Sequence, residues 1–246
     1  MINIERLDWD TSFFGVEAGR VILHKEDDTK ELVSKLQEFD FVTIVNVNND
    51  PKKNFEIGIS STAFLTDIKL VFQMNLNENF NSLRKDFTKT DVNSSHLKDI
   101  RDIASHSFYA SRYYNDPVID NSLAAKMYDK WVDKAHDDVD SEIIVSIDNH
   151  DKVQGFAILS ICGKTASIEL IAVKEDYRKK SIGTKLIEKI MELGFVCGVE
   201  TILVTTQVDN ISAINFYVKN GFKLKEKNSI YHYWNERYMK YQEFYL

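Results

Sequence analysis

Residues 172–184 read Ala-Val-Lys-Glu-Asp-Tyr-Arg-Lys-Lys-Ser-Ile-Gly-Thr and set three consecutive positive charges, Arg178, Lys179 and Lys180, at the start of a helix. An apolar run ends just before them, and Ile182, Leu186, Ile187, Ile190 and Met191 repeat with helical period just after. A helix N-terminus already carries about half a positive charge and favours acidic side chains. Basic residues at that position make sense if an anion completes the site. The unpaired N–H groups of the first turn, with a small residue at 181 and a glycine at 183, would cradle a phosphate. A solvated basic turn would carry the same charges, so the motif by itself leaves both readings open.

The surrounding charge sharpens the choice of partner. The 246-residue chain has 31 Lys and Arg against 38 Asp and Glu, a formal charge of −7. One concentrated basic loop on an acidic protein suits a small anionic ligand and not a nucleic-acid backbone, which needs a broad basic face. The two cysteines, Cys162 and Cys197, lie in apolar surroundings with no paired or metal-ligand spacing, and the six histidines are scattered. The cysteines are expected to be core residues, and the whole pattern fits a metal-free protein in a reducing, cytoplasmic setting. The start has no signal-peptide layout, and no 18-residue apolar stretch suggests a membrane span.

Periodicity divides the chain in two. Residues 18–24, 40–48 and 66–75 read as strands and 28–38 as a helix, followed by a polar stretch at 76–93. This gives an N-terminal α/β lobe over 1–90 and a second domain over 91–246. In the second, Ser94 or Ser95 is expected to cap a helix carrying Leu97, Ile100, Ile103 and Ala104, and another helix covers 121–136. Strands follow at 142–147, 153–162 and 166–173, then the basic loop, its helix, and a buried strand at 201–206. Asn210 is placed to cap the next helix and Asn220-Gly221 to end it, before closing strands at 222–228 and 230–241.

That order, with its residues, resembles the GNAT superfamily of acyl-CoA-dependent N-acetyltransferases. The superfamily signature Arg/Gln-x-x-Gly-x-Gly/Ala opens a helix and reads here as Arg178-Lys179-Lys180-Ser181-Ile182-Gly183. The preceding strand ends in Leu170-Ile171-Ala172-Val173, and the downstream Asn-x-x-Ala-x-x-Phe-Tyr with Gly-Phe is intact as Asn210, Ala213, Phe216, Tyr217, Gly221 and Phe222. Ser181 departs from the usual glycine, and Lys179 stands where glycine is frequent; the Ser181 hydroxyl is expected to donate to the phosphate. A narrower resemblance covers both halves. Leu7-Asp8-Trp9-Asp10-Thr11-Ser12-Phe13-Phe14-Gly15, Ser111-Arg112-Tyr113, Tyr128-x-x-Trp131, Thr206-Gln207 and Tyr231-His232-Tyr233-Trp234 resemble the TDP-fucosamine acetyltransferase group.

The resemblance implies an α/β GNAT fold, a mixed and mostly antiparallel sheet flanked by helices, with the N-terminal α/β lobe added. It implies acetyl-CoA as co-substrate, no metal, and direct transfer to a small-molecule primary amine, most closely the 4-amino group of a nucleotide-linked 4-amino-4,6-dideoxy sugar. By the same resemblance Ile171, Ala172 and Val173 would hold the pantetheine arm, and Arg178, Lys179, Lys180, Ser181, Ile182, Gly183 and Thr184 the pyrophosphate. Asn210, Ala213 and Phe216 would complete the CoA site, and Tyr217 would be the general acid. Homodimerisation through the closing strands is a further family expectation that these residues do not themselves support. Three assignments rest on the residues alone. Glu169 is offset by two from Ile171, which puts it on the same strand face as a candidate base, or leaves it an ordinary exposed glutamate. Arg112 suits an acceptor phosphate or carboxylate, or a structural salt bridge. Trp9, Phe13 and Phe14 read as a plug joining the lobes, with Asp10 as a turn or cap former. Acceptors of other kinds (a peptide amine, a polyamine, an aminoglycoside) keep the same fold, and a non-catalytic CoA-binding regulator is the remaining alternative.

Overall fold

A computed structural model describes residues 2–76 and 92–239. The elements run β1 (Glu5–Arg6), α1 (Asp8–Phe14), β2 (Ala18–Leu23), α2 (Leu32–Leu36), β3 (Phe41–Asn46), α3 (Pro51–Ser60), β4 (Phe64–Asn75), α4 (Ser94–Ser105), α5 (Asn121–Asp137), β5 (Ser141–Ile147), β6 (Val153–Cys162), β7 (Thr165–Val173), α6 (Ile182–Val196), β8 (Thr201–Gln207), α7 (Ile211–Lys219), β9 (Lys223–Trp234) and α8 (Glu236–Met239). The nine strands of the described residues form one sheet in the order β1-β2-β3-β9-β4-β8-β7-β6-β5. Only β2–β3 and β7–β8 are parallel. The mixed, mostly antiparallel sheet expected from the sequence is therefore present, and no helix among the described residues is long and apolar enough to cross a membrane.

The two halves interlock. β4, from the first third of the chain, lies between β8 and β9, and β9 lies between β4 and β3. The boundary expected at 90/91 lies outside the described residues. α6 and α7 bury Leu186, Ile187, Ile190 and Tyr217 against Leu70, Phe72, Ile168 and Ile202 on one face. On the other face α4 and α5 bury Ile100, Ile103, Tyr128 and Val132 against Phe156, Ile158 and Leu170. A separate cluster joins the ends of the chain. Phe41 is fully buried, stacks on Trp234 at 4.5 Å and meets His232 edge-on at 4.9 Å. Truncating such a side chain to alanine costs about 3–5 kcal/mol. Trp9, Phe13 and Phe14 pack against this cluster, as a plug between the halves should.

Several local expectations change. α4 is capped by Asn93, not Ser94 or Ser95: its Oδ1 accepts from the His96 N–H at 2.9 Å, and the His96 Nδ1 accepts from the Asn93 N–H at 3.4 Å. Histidine here takes the reciprocal part that Glu or Gln takes in a capping box. The closing strands are one strand, β9. Asn228 and Ser229, which break the apolar pattern, are buried because they bond the turn at 47–49: Asn228 Oδ1 accepts from the Asn48 N–H at 2.9 Å. β9 has partners on both edges except along 223–227, where three lysines blunt the free edge. A dimer formed along the edge of the closing strand has only that charged segment to use. Cys162 and Cys197 are free and exposed rather than buried, since each sits just where its strand or helix ends.

Candidate active site

The site begins where two parallel strands part. β7 pairs with β8 only through residues 165–168 against 201–204. Beyond that point Ile171, Ala172 and Val173 keep β6 on one side and have no strand on the other, so the backbone groups of that edge, apart from the Val173 carbonyl that Arg178 bonds, are open to a ligand. The opening leads into a cavity of about 760 Å³ lined by these three residues and by Thr205, Thr206 and Gln207 of β8. A β-bulge helps shape it. Ile158 pairs with Leu170 and Leu159 with Ile168, so Glu169 is the extra residue. Ile168 then packs on the α6 side and Leu170 on the α5 side. This overturns the strict alternation that put Glu169 and Ile171 on one face. Glu169 lies on the α5 side, where its Oε1 accepts from the Ser160 hydroxyl at 2.9 Å, while Ile171 packs towards α6.

The basic loop closes one end of this cavity. A single 3-10 turn, Glu175–Tyr177, leads into it, and the Tyr177 hydroxyl donates to Asp148 at 2.9 Å, anchoring it to the β5–β6 turn. Lys179 and Ser181 both adopt φ of 60°, the left-handed region that normally belongs to glycine. Left-handed residues alternating along a turn point successive N–H groups inwards, which is the geometry of an anion-binding nest. The first N–H groups of α6, on residues 182–184, have no partner within the helix and continue the nest. The Ser181 hydroxyl makes no capping bond. Gly183 has a packing reason as well: a Cβ there would lie 3.0 Å from the Phe216 ring. Arg178, Lys179, Ser181, Ile182, Gly183 and Thr184 all line the cavity, and Lys180 does not. Its ammonium sits 5.2 Å from the Tyr177 ring centre. Arg178 Nε donates to the Val173 carbonyl at 3.2 Å, across the mouth of the opening.

α7 supplies the opposite wall. Asn210 Oδ1 accepts from the Ala213 N–H at 3.1 Å, so the expected cap is made while Asn210 also lines the cavity. Ala213, Phe216 and Tyr217 line it too. Tyr217 is 5% exposed and wedged among Phe72, Phe216 and Phe222 at 5.5–5.8 Å between ring centres. Burial pushes its hydroxyl well above the ordinary tyrosine range, so it keeps its proton at neutral pH.

Sequence reasoning passed over Asp67. It follows a bulge at Thr66 in β4, lines the same cavity, and is 8% exposed, with Oδ1 buried and without a hydrogen-bond partner. Burial raises its carboxyl to about 7, against the pull of the Arg112 charge. Beside it, burial and then Arg112 lower the Lys69 ammonium. Their signal in the sequence was only alternation with Ile68, Leu70, Phe72 and Met74, which ordinarily marks a solvent face. Arg112 makes no salt bridge among the described residues. Its guanidinium lies over the Tyr113 ring at 4.3 Å and donates to the Tyr113 hydroxyl, while Nε is buried with no partner. Asp10 is no cap: it lies inside α1 with its carboxyl raised by burial, partly offset by Arg112.

Sheet order, parted strands, nest and α7 wall together define a GNAT-type acyl-CoA fold, and the family follows from direct comparison. The acetyltransferase (GNAT) family description matches residues 97–222, just over half of the chain, and the protein belongs to that family. It is 27% identical over 138 residues to the spore coat polysaccharide biosynthesis protein SpsD of Bacillus subtilis (strain 168), covering 55% of this chain and 46% of that one. Over 60 residues it is 47% identical to streptothricin acetyltransferase A of the same organism, 23% of this chain and 33% of the relative. The matches thus span less than half the length of these curated relatives. Among solved structures, a GCN5-related N-acetyltransferase from Sphaerobacter thermophilus superposes with a TM-score of 0.63 at 10% identity, over 94% of this chain and 75% of that one. A functionally unknown conserved protein from Staphylococcus epidermidis ATCC 12228 gives 0.61 at 13% identity, over 89% and 85%.

Proposed function

We propose that the protein transfers an acetyl group from acetyl-CoA to the primary amine of a small acceptor, most closely a nucleotide-linked 4-amino-4,6-dideoxy sugar. The observation that carries this reading is one cavity joining an anion nest, an unpaired strand edge, a protonated buried tyrosine and a buried carboxylate. The likeness to a polysaccharide biosynthesis protein supports a sugar acceptor. The shorter likeness to an antibiotic acetyltransferase supports a second reading, an antibiotic amine on the same machinery. The proposed organisation keeps an N-terminal lobe over 1–90 and an acetyltransferase domain over 91–246, in a cytoplasmic setting where acetyl-CoA is available.

Acetyl-CoA would supply the activated acyl group. The nest at 179–184 and Arg178 would bind its diphosphate, and the free edge at 171–173 its amide arm. Holding donor and amine together removes about 7–11 kcal/mol of the barrier. The acceptor ammonium must first lose a proton, and Asp67 is the base we assign; Glu169, committed to Ser160 on the α5 side, is the lesser candidate. The amine nitrogen then bonds to the acyl carbon as the carbon–sulfur bond breaks, Tyr217 gives its proton to the departing thiolate, and the second proton released by the acylated nitrogen restores the Tyr217 hydroxyl. General-acid assistance of this kind is worth about 10²–10⁴-fold.

The test is thiol release from acetyl-CoA with and without TDP- and UDP-linked 3- and 4-amino sugars and antibiotic amines. Release that depends on one acceptor class establishes reaction and class together. Tyr217→Phe should lower kcat about 10²-fold or more and leave acetyl-CoA affinity unchanged. Unchanged turnover removes Tyr217 from the mechanism.

A further inference from the structure

A second cavity, of about 420 Å³, opens from the first. The two share Arg112, Tyr113, Trp131 and Glu169, and the second runs between the N-terminal elements and α5. Its lining is chemically mixed in a specific way. Three cations (Arg20, Arg112, Lys134) face three carboxylates (Asp10, Asp138, Glu169), so no net charge favours a polycation or a polyanion. Two indoles complete it, each backed by another ring: Trp9 stacks on Phe13 at 5.0 Å, and Trp131 on Tyr128 at 6.1 Å. Backing on one face fixes each indole and leaves the other side for a ligand.

We infer that this second cavity seats the body of the acceptor, a hydroxylated six-membered ring bearing the amine, and that Asp10, Arg112 and Trp131 select for it. The inference rests on the acetyl-transfer reading and deepens it. Hydroxyl groups both donate and accept, and planar carboxylate and guanidinium groups offer two parallel bonds each, which suits neighbouring hydroxyls. The C–H face of such a ring is apolar and lies flat on an indole. Arg112 is the pivot, because it lines both cavities and its buried Nε lacks the acceptor that a ring oxygen would provide. A linear polyammonium carries no acceptor atom and would leave the Arg112 Nε unsatisfied.

A minimal pair of ligands isolates the claim. The full chain, saturated with CoA so that no transfer occurs, is titrated calorimetrically with 4-amino-4,6-dideoxy-D-glucose, free and TDP-linked, and with cyclohexylamine, the same kind of ring without hydroxyls. The sugar amine should bind at least tenfold more tightly than cyclohexylamine. Asp10→Asn and Arg112→Lys should each weaken the sugar about tenfold and leave cyclohexylamine unchanged; Arg112→Lys keeps the charge but loses the fork. Trp131→Phe is the further variant, and retained thermal stabilisation by acetyl-CoA shows that each protein is folded. Equal affinity for the two amines, equal weakening of both, or no binding of the sugar in either form overturns the inference. Selective binding of the sugar without thiol release in the acetyl-CoA assay would instead overturn the transfer reading and leave this cavity's role standing.

Discussion

Ser181→Gly and Lys179→Gly test whether the basic loop is a strained nest. Both residues sit at φ of 60° where a Cβ crowds the backbone, at roughly 1–2 kcal/mol each. Glycine removes that cost but brings about 0.5–1 kcal/mol of extra chain entropy to be lost on folding. Each change should therefore stabilise by about 0.5–1 kcal/mol, and the pair by about 1–2 kcal/mol. At roughly 2–4 °C per kcal/mol for a chain approaching this size, the double variant should melt about 2–8 °C higher. Differential scanning fluorimetry without ligand measures the shift, and a urea series with unchanged slope confirms that native stability moved. Affinity for acetyl-CoA then separates nest from charge. Ser181→Gly preserves the N–H groups and should leave affinity unchanged or slightly weaker, since only a serine hydroxyl is lost. Lys179→Gly should weaken binding severalfold and flatten its salt dependence. Unchanged or lower melting in both single variants would refute the strain argument, and a large gain in affinity from Ser181→Gly would refute the nest.

Asp67→Asn should separate catalysis from stability. As a base with a carboxyl near 7, Asp67 predicts kcat/KM rising with pH through about 7, and the variant should lose both that limb and most of its activity. The linkage runs the opposite way to a usual aspartate: its folded pKa is raised, so its contribution to stability is full below the unfolded value near 3.8 and is lost as pH rises through about 7. Above that pH the Asp67→Asn protein should melt higher than the parent, by an amount on the order of 4 kcal/mol at most; a lower melting point there, or an intact pH limb, would contradict the assignment. Gly183→Ala should cost about 1 kcal/mol by pushing the Phe216 ring, 3.0 Å from the new methyl, and should weaken acetyl-CoA several times more than Ser181→Gly does. A neutral melting point would show that the ring yields freely. Cys162 and Cys197, being exposed, should both react with a thiol reagent in the native protein within minutes, and protection of either would contradict its placement at an element end.

What could be read from the sequence was what is local. The basic loop, the α6 period, the Asn210 cap and the Gly221 stop each depend on a few neighbouring residues, and each stands where its chemistry required. α3 had a local signal as well: Asp50-Pro51 pairs a cap with the favoured first residue, and Asp50 does accept from the Lys53 N–H at 3.0 Å. The closing strand failed for the opposite reason. Asn228 and Ser229 look like a turn until the loop at 47–49, some 180 residues away in sequence, arrives to bond them.

Asp67 is the same failure with functional consequence. On an edge strand its alternation with apolar residues would mean solvent, and its carboxyl would be ordinary. It is buried because β8 and β9, both from the C-terminal half, flank β4, and because the segment carrying Arg112 comes close enough for Asn115 to donate to the Thr66 carbonyl. That burial raises its proton affinity, and Arg112 keeps it from rising further. The first 76 residues therefore do more than decorate an acetyltransferase domain: they contribute a strand to its sheet, a carboxylate to its main cavity and one wall of the second. A chain beginning near residue 91 would lose β4 from between β8 and β9, and with it the Phe72 ring that packs on Tyr217. It would also lack the groups that we assign to taking the amine's proton and to recognising the ring that carries it.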